Sequence, residues 1–255
     1  MKQDDLISQT VEMLKRRGFL IDLIDDAYYL SDNSAPDDLP FLSDLLSDFS
    51  LGFVRTDTKG LEIVINPWRN PKALDALFLP IDRGSIGVGS CNQTQSWNKV
   101  RSRYHSPKIP VAWLEANIAR YIKALSACGI YTGGCCDGNH PRCDQLYIEF
   151  DGPVYKDFHK WLWADWLDSL FSLQWNAEYV SIDLKYDRQE QYRVLNAAAE
   201  FIYDNRFFIQ RIRMRAAASI SKNQARKMSH DELAITFIQN CKRIFAGEKK
   251  NGNRL

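Results

Sequence analysis

No run of apolar residues in this 255-residue chain approaches the roughly 20 that a membrane-spanning helix needs. The opening stretch MKQDDLISQTVEM is polar and acidic, unlike the apolar heart of an export signal. The expectation is therefore a cytoplasmic protein with no membrane partner. No low-complexity linker and no internal repeat divides the chain, which favours one α+β body over residues 1–255, with a helical C-terminal subdomain over 187–247. The Gly-Lys-Ser/Thr ending of a phosphate loop is missing, as are GxGxxG, HExxH, GxSxG and paired CxxC knuckles. Those absences remove the common signatures of P-loop NTPases, dinucleotide enzymes, zincin proteases and α/β-hydrolases.

Acid is missing from two long segments. Residues 83–114 hold no Asp or Glu but carry five bases and His105, and residues 206–227 hold seven bases and no acid. Residues 1–50 run the other way, with eleven acids and four bases, so a net charge of +1 conceals a gradient. Such asymmetry marks an anionic partner, or segments that neutralise one another in the fold.

What is present reads as alternating helices and strands. Leu6, Ile7, Val11 and Leu14 make one apolar stripe over residues 5–17, and Gly18 is a natural stop. Residues 19–30 read as extended chain turning at Asp25-Asp26, 37–49 as a short helix, and 51–65 as a hairpin turning at Asp57-Thr58-Lys59-Gly60. Another short helix is expected from Asn70-Pro71, then a long loop over 82–110. A helix follows from Pro110 to Gly129. Strands are expected at 130–132 and 146–150, joined by a loop over 133–145. A helix over 155–171 carries Trp161, Trp163 and Trp166, more in keeping with a core than with a stacking platform, and a strand follows at 179–186. Strand, helix and strand across 146–186 suggest a parallel crossover unit within a mixed sheet. Residues 189–246 read as helical, with Ser229 and Glu232 spaced as a capping box.

Four of the six cysteines fall between 128 and 143. In a reducing compartment these are thiols or metal ligands. Zinc takes four Cys or His ligands in a tetrahedron, and Cys128, Cys136, His140 and Cys143 are a candidate set, against a reading as free thiols. Asp137-Gly138 is a turn dipeptide, and Asp137 with His140 is also a candidate acid/base pair. Glu149 and Asp151, two apart on a strand, share a face and offer hard oxygen ligands to Mg²⁺; the plainer reading is a solvent-facing strand end. The glycine- and serine-rich run from Arg83 through Ser85 to Ser90 offers backbone N–H groups to an anion, with Arg101, Arg103 and His105 extending the positive field. Arg211 and Arg215 share a helix face in the second acid-free segment, where apolar residues interleave with bases; that helix either lies on nucleic acid or an acidic partner, or is a core helix whose arginines pair with the acidic N-terminal segment.

Together these residues lead to the expectation of a metal-dependent enzyme, with Mg or Zn as cofactor, acting on a nucleotide or nucleic acid. In it the 83–105 loop holds phosphate, Glu149 and Asp151 hold the ion, and His140 or Asp137 moves a proton. The alternative is a non-catalytic, zinc-stapled module that binds nucleic acid or a protein partner.

Overall fold

The first helix, α1 (Gln3–Arg17), buries Val11 and Leu14, half-buries Leu6 and Ile7, and turns Arg16 to solvent. Gly18 ends it at φ 113°, and a Cβ there would lie 2.8 Å from the Cβ of Ala119, so both backbone and space demand glycine. The structure is a computed structural model and describes residues 3–67, 69, 72, 75, 100–101, 108–139, 145–166, 173–175, 179–182 and 187–250. The short helix expected from Asn70 and most of the 82–110 loop lie outside those residues.

Next come β1 (Ile21–Ile24) and β2 (Ala27–Leu30), an antiparallel hairpin. Its two turn residues, Asp25 and Asp26, both have positive φ (48° and 65°), the twist a two-residue hairpin turn requires. After α2 (Asp38–Asp48), strands β3 (Gly52–Asp57) and β4 (Gly60–Ile65) form a second hairpin about Thr58-Lys59. The sheet order is β1-β2-β4-β3, antiparallel throughout.

The helix expected from Pro110 is interrupted. A 3₁₀ turn spans Val111–Trp113, the backbone extends at Leu114 (φ −105°, ψ 139°) and Glu115 (φ −62°, ψ 138°), and α3 (Ala116–Ala127) starts afresh with Glu115 as its N-cap. Strand β5 (Thr132–Asp137) reaches five residues past the expected end, through Gly133-Gly134 and both cysteines, with a bulge between Thr132 and Gly134. It pairs antiparallel with β6 (Leu146–Phe150), which leads into α4 (Pro153–Trp166).

The strand expected after α4 is β8 (Tyr179–Ile182), and it pairs antiparallel, not parallel, with β6. The reason is β7 (Leu173–Trp175), three residues that hairpin with β8 and send it back along β6. In the order β5-β6-β8-β7, the strand parallel to β6 is β7, one place removed. The chain ends in α5 (Arg188–Asp204), α6 (Arg206–Ala218), α7 (Lys222–Lys227) and α8 (His230–Lys250). The capping box is present, with Ser229 N donating to Glu232 Oε2 at 2.7 Å and Glu232 N to Ser229 Oγ at 3.2 Å. The protein is thus α+β, with two antiparallel sheets and a helical C-terminal region.

Two hydrophobic clusters hold it together. The larger gathers Ile118 and Leu125 of α3, Ile148 of β6, Phe158 and Leu162 of α4, Ile202 of α5, Ile212 of α6 and Phe237 of α8; Trp161 and Trp163 belong to this core. The smaller joins α1 and α2 to the first sheet through Leu14, Leu42, Leu46 and Ile63. Ion pairs cross between them: Arg120 with Glu12 at 2.7 Å, Arg206 with Asp22 at 2.9 Å and Lys123 with Asp38 at 2.5 Å. Part of the acidic N-terminal segment is therefore neutralised by bases from later in the chain. Among the described residues no helix is long and apolar enough to cross a membrane.

Candidate metal centre

Three elements converge where β5 ends. Because α3 restarts at Ala116, Glu115 stands at the helix mouth, and its side chain makes no capping bond to α3. It turns to the strand instead: Oε2 accepts from the backbone N–H of Asp137 at 2.5 Å, and Oε1 lies 4.0 Å from Cys136 Sγ. The Asp137 carboxylate is fixed on both oxygens, accepting from Asn117 Nδ2 at 2.9 Å and from the backbone N–H of Asn139 at 2.8 Å. Gly138 N–H donates to Cys136 Sγ at 3.3 Å. From the first two turns of α5, Tyr192 Oη and Arg188 Nη1 donate to the Asp137 carbonyl at 3.1 and 3.2 Å. Gly138 is favoured here by its left-handed backbone (φ 73°) and because a Cβ would lie 2.9 Å from the backbone N of Leu146, and would also meet the Arg188 guanidinium.

One donor atom each from Glu115, Cys136 and Asp137 lies within 4.8 Å of the others. Cys136 and Asp137 are buried and Glu115 is half-buried. A zinc ion with Zn–S near 2.3 Å and Zn–O near 2.1 Å draws such donors a little closer than this, a matter of small side-chain rotations. The hydrogen bonds on Asp137 and Cys136 are of the kind that would orient metal ligands. The neighbouring Cys135 faces the core; burial first, then the Glu115 and Asp137 carboxylates, push its thiol up to about 12, so it stays protonated.

The structure brings Cys136 and Asp137 together and separates the other expected partners. Cys128 is the C-cap of α3, thirteen residues after Glu115, hence about 20 Å from it along the helix axis. It is fully buried, its thiol 3.7 Å from the Ile202 carbonyl and pushed up to about 12 by burial. It does not share an ion with Cys136. Nor do Glu149 and Asp151 join Asp137. Glu149 pairs with Gly134 while Asp137 pairs with Leu146, which places the two acids about 10 Å apart along the hairpin. Glu149 is exposed, and Asp151 sits beyond the strand in the bend before Gly152, so simple alternation does not govern it. Arg101 is half-buried beside Val100, whose carbonyl accepts from the buried Arg213 at 2.8 Å. His140, Cys143, Arg83, Ser85, Ser90, Arg103 and His105 lie outside the described residues.

Glu115, Asn117, Arg188 and Tyr192 were not legible as site residues. One signal pointed to Glu115: it is the first acid after the acid-free run over 83–114. No protein-family model matches the chain, and neither the curated proteins nor the solved structures contain a significant match to it.

Proposed function

We propose that this chain is a metal-dependent enzyme acting on a phosphate-bearing substrate, a nucleotide or nucleic acid, and that Glu115, Cys136 and Asp137 hold its divalent ion. The observation that carries this reading is the approach of the three donor atoms to within 4.8 Å. Two carboxylates and a thiol this close repel once ionised, and a cation between them removes the cost. A thiolate in the set favours zinc over magnesium. Three protein ligands leave a fourth position for water or a phosphoryl oxygen. The first turns of α3 and α5 both border the centre, Arg188 among them, and the positive ends of two helices suit an anionic substrate.

The zinc-stapled module is the second reading. Its support is that His140 and Cys143 follow Cys136 on the same connection, where they would close the tetrahedron with protein ligands alone.

Metal content by mass spectrometry, combined with turnover assays on nucleotides and oligonucleotides in zinc, manganese and magnesium, tests both. Turnover with about one zinc per chain, both lost in Cys136→Ser and Glu115→Gln, is the expected result. Zinc without turnover supports the module. A protein that takes up no divalent ion, with melting unchanged by chelator, overturns both readings.

A further inference from the structure

The second acid-free segment makes a surface that the metal centre does not use. Of the thirteen residues of α6, the exposed ones are Phe207, Arg211, Arg215 and Ala218. Their spacing of four, four and three puts them on one stripe along the helix. The other arginines of α6 are used elsewhere, Arg206 on Asp22 and Arg213 in the core.

At its C-terminal end the stripe opens into a groove of about 530 Å³ between α6 and α8, lined by Arg215, Ser219, Arg243, Ile244 and Gly247 with Glu248. Among the described residues Glu248 is the one carboxylate lining it. Its side chain is 11% exposed, and it binds Arg215 and lies 3.7 Å from Arg211. One acid thus orients two guanidiniums that remain 50% and 58% exposed, while Arg243 stands on the other wall, its Nη2 donating to Asn240. Three arginines about one acid leave this face two charges positive, with Arg215 and Arg243 lining the groove itself. The whole of α7, which follows directly, is exposed or half-exposed and carries Lys222, Arg226 and Lys227.

At the other end of the stripe Phe207 is 64% exposed, with the Arg206 guanidinium 4.5 Å from its ring centroid. Arg206 covers one side of the ring, and the rest of Phe207 stays open to solvent one helical turn before Arg211. An exposed aromatic ring in line with forked guanidiniums matches the two needs of an unpaired strand: a platform for a base, and cations for successive phosphates. An acidic peptide would use the arginines and leave the ring unused.

We infer that the α6–α8 face binds single-stranded nucleic acid, with a base stacked on Phe207 and the phosphate backbone running over Arg211 and Arg215 into the groove beside Arg243. This inference does not rest on the metal centre. Anisotropy of a labelled oligothymidylate of about 16 nucleotides, titrated with the full chain in chelator, tests it apart from any bound ion. Phe207→Ala should weaken binding roughly tenfold, and Phe207→Trp should restore it. Arg215→Gln with Arg243→Gln should make the slope of log affinity against log salt shallower by about 1 to 2, while Arg55→Gln on the first sheet leaves it unchanged. Absence of binding by the wild type, or equal binding by all these variants, overturns the inference. So does polyglutamate competing as well as the oligonucleotide, which would assign the face to an acidic protein.

Discussion

The ammonium of Lys123 lies 2.5 Å from Oδ2 of Asp38, with the two side chains 1% and 0% exposed. The lysine comes from α3 and the aspartate from the first turn of α2, so the pair ties the two halves of the chain. Each is otherwise satisfied. Lys123 also donates to the Ile109 carbonyl at 2.8 Å, and Asp38 accepts from the backbone N–H groups of Ala35 at 2.8 Å and Val111 at 2.7 Å. Burial pulls the Lys123 pKa down, and the Asp38 carboxylate opposes that pull. Removing one partner leaves a buried charge alone. Lys123→Met should therefore cost about 3–5 kcal/mol, whereas Lys123→Met combined with Asp38→Leu should cost much less than the two single losses added together. Urea unfolding of the three variants measures this. A loss below about 1 kcal/mol for Lys123→Met would show the pair to be dispensable.

A buried histidine gives the protein a defined response to acid. His159 is fully buried, its Nε2 2.6 Å from Tyr121 Oη and 2.9 Å from Trp163 Nε1. Burial lowers its pKa from 6.5 to about 3. Between those values the unfolded chain holds a proton that the folded one refuses, so stability is complete above pH 6.5 and declines as pH falls towards 3, by at most about 1.4 kcal/mol per pH unit from this group. His159→Gln should flatten the pH dependence across that window, measured by urea midpoints from pH 7 to 4. Parallel curves for wild type and variant would contradict it.

Gly138 and Arg188 should behave as a coupled pair. Gly138→Ala forces a side chain into left-handed backbone, about 1–2 kcal/mol, and also into the Arg188 guanidinium. In an Arg188→Ala background that second cost disappears while the backbone conformation and the approach to Leu146 N, 2.9 Å, remain, so the glycine substitution should be cheaper there but not free. A double-mutant cycle by thermal or urea unfolding decides it, and strict additivity would mean that Arg188 simply moves aside.

Local chemistry announced much of the fold. Asp25-Asp26, Thr58-Lys59 and Ser229 with Glu232 each specify a turn or cap through their own side chains and backbone preferences, and each formed where expected. The misses share a cause: no residue marks them. The break before α3 falls at Leu114-Glu115, with neither glycine nor proline within it, because Glu115 is held by the strand rather than by its own propensity. Gly133-Gly134 concealed β5, since glycine weakens a strand pattern that the ladder with β6 then supplies. The three residues of β7 are too few to show a period. At the candidate metal centre Cys136 and Asp137 were legible as neighbours in sequence, but Glu115, some twenty residues away, becomes their neighbour only through tertiary packing.

The strand order of the second sheet also dictates a schedule. As the chain leaves the ribosome, β6 emerges with β5 and gains one paired edge at once. Its other edge belongs to β8, whose Val180 must find Ile148 after α4 and β7 have been made. The late strand does not extend the sheet at its rim; it slots into the middle, and β7 ends outside it. Until then β6 carries a row of open backbone donors and acceptors. During that interval, set by the time taken to synthesise the helix and hairpin between β6 and β8, the open edge of β6 is a template for pairing with another copy of the chain.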